Sequence, residues 1–263
     1  MTNFTIGNWT LYERLEQEYF FQTYVWREAY PLGMYGDIKA WVAANITSTI
    51  FDSWYYDGYP DFLPASYITN STFSNVDVDG AVLSLKDSRV IMRTTTFEDN
   101  LLRGKESSTL KVSGGHTNLD GEVSFRNNVA DTGAAIALSN KAEMIGQGTV
   151  FDANVAMNHG GVFMLREALS LSLDNAIFTN NTATNIGGVI WARKGQAVTT
   201  ITISDTSFTD NRAGSSLVNL DTASMSVINS AFVNNFADDL THGFTLQAAN
   251  LTISNTIVRN QNE

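Results

Sequence analysis

The chain has 263 residues, 43% of them hydrophobic and 16% charged, with a net charge of −11. It contains no cysteine, which excludes disulfides, thiolate catalysis and cysteine-ligated zinc. No run of Lys/Arg exceeds two residues, so the basic footprint needed for nucleic acid or an anionic membrane surface is missing. The polar load is carried by Asn, Thr, Ser and Gly, a composition that favours a turn-rich all-β chain over a helical one.

Residues 1–66 form a distinct unit in composition, holding 17 of the 29 aromatic residues. The opening Met1–Thr10 has neither the basic nor the apolar region of a secretory signal, and no later run reaches the length of a membrane span. Membrane insertion is therefore not expected within this sequence. Thr10-Leu-Tyr-Glu13 fits a helix-capping box, and Leu11, Leu15, Tyr19 and Phe20 make an apolar face at helical spacing. Tyr30-Pro31 and Gly33 end that helix, and a shorter one is expected around Asp37–Ala44. The segment reads as a partly helical cap over the open end of whatever follows. Trp26, Trp41, Trp54, Tyr55 and Tyr56 would equally serve a protein-docking surface, or stack on sugar rings.

From residue 67 onward the chain repeats itself. Phe-x-x-Asn occurs at Phe97–Asn100, Phe125–Asn128, Phe151–Asn154, Phe178–Asn181, Phe208–Asn211 and Phe232–Asn235. Phe73-Ser-Asn75 precedes these one residue short, and Ile257–Asn260 follows as a degenerate copy. Five copies place an alanine two residues after the Asn: Ala130, Ala156, Ala183, Ala213 and Ala237. A glycine then opens a short apolar strand, as in Gly160-Gly-Val-Phe163 and Gly187-Gly-Val-Ile190. A further strand alternates apolar with Ser/Thr, as in Leu169–Leu173 and Thr200–Ser204, burying one face and wetting the other.

A unit of two or three such strands cannot bury its apolar face alone, so successive units must stack as a parallel β-solenoid of about 7–8 coils over 67–263. In the stack the phenylalanines form an inner column, and the asparagines form a ladder bonding adjacent coils through their amides. Glycine at the next corner permits positive φ and close approach between coils. These roles are architectural.

FxxN paired with Gly-Gly-Ala-(Ile/Leu/Val) resembles the repeat of the chlamydial polymorphic outer-membrane proteins, here in the variants Gly133-Ala-Ala-Ile136, Gly160-Gly-Val-Phe163 and Gly187-Gly-Val-Ile190. The resemblance covers about residues 70–263. It implies a right-handed parallel β-helix on a cell surface, with adhesive or architectural roles and no catalysis.

An enzyme reading needs two or three carboxylates converging on an outer face. Asp174 and Asp205, just ahead of their phenylalanines on adjacent coils, are the best acids for a carbohydrate-active alternative, a polysaccharide lyase or hydrolase. His159 and His242 lie at glycine corners and His116 stands apart, so no shared metal site is expected, and no cofactor. Asp77-Val-Asp-Gly80 and Asp238-Asp239 lack calcium-loop spacing. Glycosylation sequons occur at Asn3, Asn8, Asn45, Asn70, Asn180 and Asn250, relevant in a eukaryotic secretory setting. The repeat beginning at Ile257 has no cap after it, so a longer protein or a filament is expected. The expected function is a non-catalytic extracellular or cell-surface module with a structural, adhesive or assembly role. Its partners would be protein or a second copy through the solenoid ends, or a glycan.

Overall fold

The computed structural model describes residues 5–6, 9–10, 65–193, 195, 198–238 and 242–259. From Ser66 the chain winds through about seven turns of a right-handed parallel β-solenoid, all-β among the described residues. The predicted helices, the aromatic docking candidates Trp26, Trp41, Trp54, Tyr55 and Tyr56, and the sequons Asn3, Asn8 and Asn45 lie outside the described residues. Near the start, Thr5–Ile6 pairs antiparallel with Trp9–Thr10.

Each of the four central turns, from Ile136 to Ala237, contributes four strands, more than the two or three expected, while in the earlier turns one long strand such as Leu83–Glu98 runs round several sides. In one central turn these are Ile136–Ser139, Glu143–Gln147, Val150–Asp152 and Val155–His159, here called sides one to four. One continuous 19-stranded sheet wraps sides one to three, and a 7-stranded sheet forms side four. Every described contact between successive turns is parallel, with Phe151 in register with Phe125 below and Phe178 above.

The extra strand was hidden because the corners are single residues. One left-handed residue sits three positions before each phenylalanine (Thr94, Glu122, Gly148, Asn175, Asp205, Asn229), and another two positions after (Asp99, Asn127, Ala153, Asn180, Asp210, Asn234). Asn and Asp tolerate this conformation because their short polar side chains bond locally. A corner of one residue bends the strand without inserting a loop.

Inside, the phenylalanines stack along the axis. Phe73, Phe97, Phe125, Phe151, Phe178, Phe208 and Phe232 follow one another at centroid spacings of 4.2–5.5 Å with nearly parallel rings. Phe163 and Phe244 meet this column edge-on. Each fully buried ring contributes about 2–3 kcal/mol by burial. The spacing is that of the sheet itself, because one backbone repeat per turn carries one ring. On side four the aligned alanines Ala130, Ala156, Ala183 and Ala213 are fully buried, where a larger side chain has no room.

Gly133, Gly160 and Gly187 take φ of 55°, 66° and 70° at the corner into side one. Their followers Gly161 and Gly188 do not need positive φ; they are small because backbone passes close by. A Cβ on Gly188 would stand 2.5 Å from the Arg212 carbonyl oxygen.

Register corrects the repeat at both ends. Phe232 pairs with Val258, and Ala231 with Ile257, so Val258 takes the phenylalanine position and Ile257 an outward one. At the other end Val76, not Asn75, occupies the ladder position, and its N–H donates to Asn100 Oδ1 at 3.0 Å. Asn75 is instead the left-handed corner residue, with φ of 55°.

Candidate functional site

Asn100, Asn128, Asn154, Asn181, Asn211 and Asn235 are all buried, and their amides form one chain of hydrogen bonds. Each Nδ2 from Asn100 to Asn211 donates to the Oδ1 of the next asparagine at 2.8–3.0 Å. Each Nδ2 also donates to the carbonyl of the phenylalanine one turn earlier, as Asn181 does to Phe151 at 2.9 Å. From Asn128 onward each Oδ1 additionally accepts the previous asparagine's backbone N–H, so Asn181 Oδ1 receives Asn154 N at 3.0 Å. In Asn128, Asn154, Asn181 and Asn211 both amide hydrogens and both lone pairs are used, which is what burial of an amide requires.

Sequence reasoning missed a second inward polar column two residues before the phenylalanines. Thr95 Oγ1 donates to Ile68 O at 3.2 Å, Thr206 Oγ1 accepts Ala176 N at 3.2 Å, and Ser230 Oγ accepts Thr206 N at 3.2 Å. Its signal was a Ser or Thr at a constant offset, masked by Val123 and Ala176 in the same column.

The proposed acid pair does not share a column. Asp174 is in register with Gln147 and Ser204, and Ser204 Oγ donates to its Oδ1 at 2.6 Å. Asp205 falls one position further on, in the left-handed corner at φ 50°. Three further outer carboxylates each pair with a single arginine: Asp120 with Arg93, Asp77 with Arg103, Asp238 with Arg212. His116 is not isolated, since its Nδ1 lies 3.4 Å from Glu143 one turn on. Among the described residues no group of three or more His, Asp or Glu is arranged to hold a metal ion.

The densest outer chemistry lies where side four meets side one, in residues that the repeat does not bring out. His159 packs against Trp191 with ring centroids 4.3 Å apart, and Arg193 lies over the same indole at 5.9 Å. His159 Nδ1 is buried without a hydrogen-bond partner. Burial pushes this imidazole below its usual range; Asp131 pulls it back up, and Arg193 pushes it further down. Arg166 and Arg193, register partners on adjacent strands, both reach Glu106 Oε1 at 3.3 Å. Asp131 accepts the Glu106 N–H at 2.7 Å and the Asn158 amide at 2.9 Å. His159 thus stands within a network drawn from several turns.

Three described sequon asparagines are exposed: Asn70 and Asn180 in left-handed corners, and Asn250 on the last turn. That last turn exposes Leu246, Ile253, Ile257 and Val258, the latter two each at 58%. No protein-family model, curated protein or solved structure matches the chain. The likeness to the polymorphic outer-membrane repeat thus stands on the motif residues alone.

Proposed function

We propose that this protein is a non-catalytic extracellular or cell-surface β-helix with a structural, adhesive or assembly role, of the kind that the polymorphic outer-membrane repeats suggest. The observation that carries this reading is the division within each turn. The residues that recur, Phe, Asn, Ala and Gly, are turned inward and satisfied by one another. The outward columns change identity from turn to turn, as in Gln147, Asp174, Ser204 and Ile228. A repeat built this way is a scaffold, and the variable outer surface is what it presents.

The assembly role rests on the last described turn. From His242 to Arg259 there is no Asp, Glu, Lys or Pro to blunt the sheet edge, and Arg259 is the one permanently charged side chain there. Apolar side chains exposed there, Ile257 and Val258 among them, are covered in this reading by further polypeptide. Sedimentation velocity across a hundred-fold concentration range tests it: self-association is expected, and Ile257→Asp with Val258→Asp should remove it. A wild-type chain that stays monomeric throughout, with no protein cross-linked to Ile257 in its native setting, would overturn the assembly role. Turnover of a polysaccharide that Asp174→Asn abolishes would overturn the non-catalytic one.

A further inference from the structure

We propose that Arg166 and Arg193 form a binding fork for the carboxylate of an acidic saccharide, and that Glu106 occupies this fork from within the chain until such a ligand displaces it. The inference goes beyond the assembly role and does not rest on it. Strands Phe163–Arg166 and Ile190–Arg193 are parallel and in register, which sets the two arginines one inter-strand spacing apart, about 4.8 Å at the backbone. Like charges so placed repel, and an anion between them relieves the repulsion. Both guanidiniums turn to the same carboxylate, which comes from 60 and 87 residues upstream.

The fit to Glu106 is loose. Contacts of 3.3 Å exceed the roughly 2.7–2.9 Å of a well-made charge-assisted bond, and the planar fork of arginine can do better with a mobile carboxylate. Glu106 sits at a left-handed position, φ 54°, its N–H anchored on Asp131, so its side chain is presented from a constrained tip rather than fitted to the pair. Between 41% and 48% of each partner's side chain is exposed, and exposed ion pairs of this kind weigh no more than about five-fold in an equilibrium constant. Displacement of Glu106 therefore costs little. Beside the fork stands the half-buried indole of Trp191, with Arg193 over it and His159 against it. The part of this indole left exposed beside a carboxylate receptor matches a uronate, whose carboxylate is carried on a sugar ring. In a chain of net charge −11, such an anion needs a local cationic pair to approach at all.

Isothermal titration of the whole chain tests this, with β-1,4-linked triglucuronate as ligand, cellotriose as its neutral counterpart and inorganic sulfate as a bare anion. Triglucuronate should bind at millimolar or lower concentration and weaken with added salt, and cellotriose should not bind. Glu106→Gln should tighten triglucuronate up to about five-fold by freeing the fork. Arg193→Gln should weaken it by up to about five-fold. If Arg193→Gln fails to fold by circular dichroism, the Glu106→Gln comparison decides alone. The proposal is overturned if cellotriose binds equally well, if Glu106→Gln leaves the affinity unchanged or lower, if a folded Arg193→Gln binds like wild type, or if no triglucuronate binding is seen. Sulfate binding as tightly as triglucuronate would overturn the saccharide assignment.

Discussion

Replacing Asn181 by alanine should be among the most damaging single changes in this chain. The side chain is fully buried, and its amide makes four hydrogen bonds: Nδ2 to Phe151 O and to Asn211 Oδ1, each 2.9 Å, and Oδ1 from Asn154 N at 3.0 Å and Asn154 Nδ2 at 2.9 Å. Asn211 Oδ1 keeps the Asn181 backbone N–H at 3.0 Å after truncation. Asn154 fares worse, losing the acceptor for its backbone N–H and for one amide hydrogen. Two buried donors orphaned at about 1–3 kcal/mol each give a loss of about 2–6 kcal/mol. Water entering the vacated volume would bond some of these groups, so about 3 kcal/mol is the expected value. Urea unfolding followed by circular dichroism measures it. The m-value should be checked, because a defect in a mid-solenoid turn can let the two halves melt separately. Asn180→Ala is the matched control: Asn180 is exposed, and Ala153 already holds the same corner column at φ 53°, so less than about 1 kcal/mol should be lost. A loss below about 0.5 kcal/mol for Asn181→Ala, or an equal loss for the control, would refute the ladder as a stabilising element.

Gly161→Ala should cost at least about 3 kcal/mol or abolish folding, because its Cβ would lie on the Gly188 carbonyl oxygen, which is backbone and cannot move aside. Gly104→Ala meets nothing within 4 Å and should cost only about 1 kcal/mol for its positive φ; equal melting shifts for the two would contradict this. His159 makes stability pH-dependent. Its folded pKa is lowered, so below the ordinary value of 6.5 the unfolded chain binds the proton more readily, and stability falls on acidification from there. Unfolding free energies from pH 7.5 down to 5 should show this loss in wild type and less of it in His159→Gln; parallel profiles would remove His159 as the cause.

In a parallel stack with one rung per turn, recurrence in sequence becomes a column in space. Phe97 through Phe232 and Asn100 through Asn235 were therefore legible before any coordinates, along with the all-β class and the glycine corners. Period alone does not set register, since turns vary in length by insertions that fall at unmarked places. Only the backbone pairing put Val258 rather than Ile257 above Phe232, and set Asp174 beside Ser204 with Asp205 round the corner. Single-residue left-handed corners hid the fourth strand, because Asp99 or Ala153 leaves no loop to read. The Glu106–Arg166–Arg193 contact was invisible for a different reason. Its members belong to no repeat position in common, and charges so distant in sequence meet only when the coil count, the lean of each side chain and the protruding turn at Glu106 are all decided together.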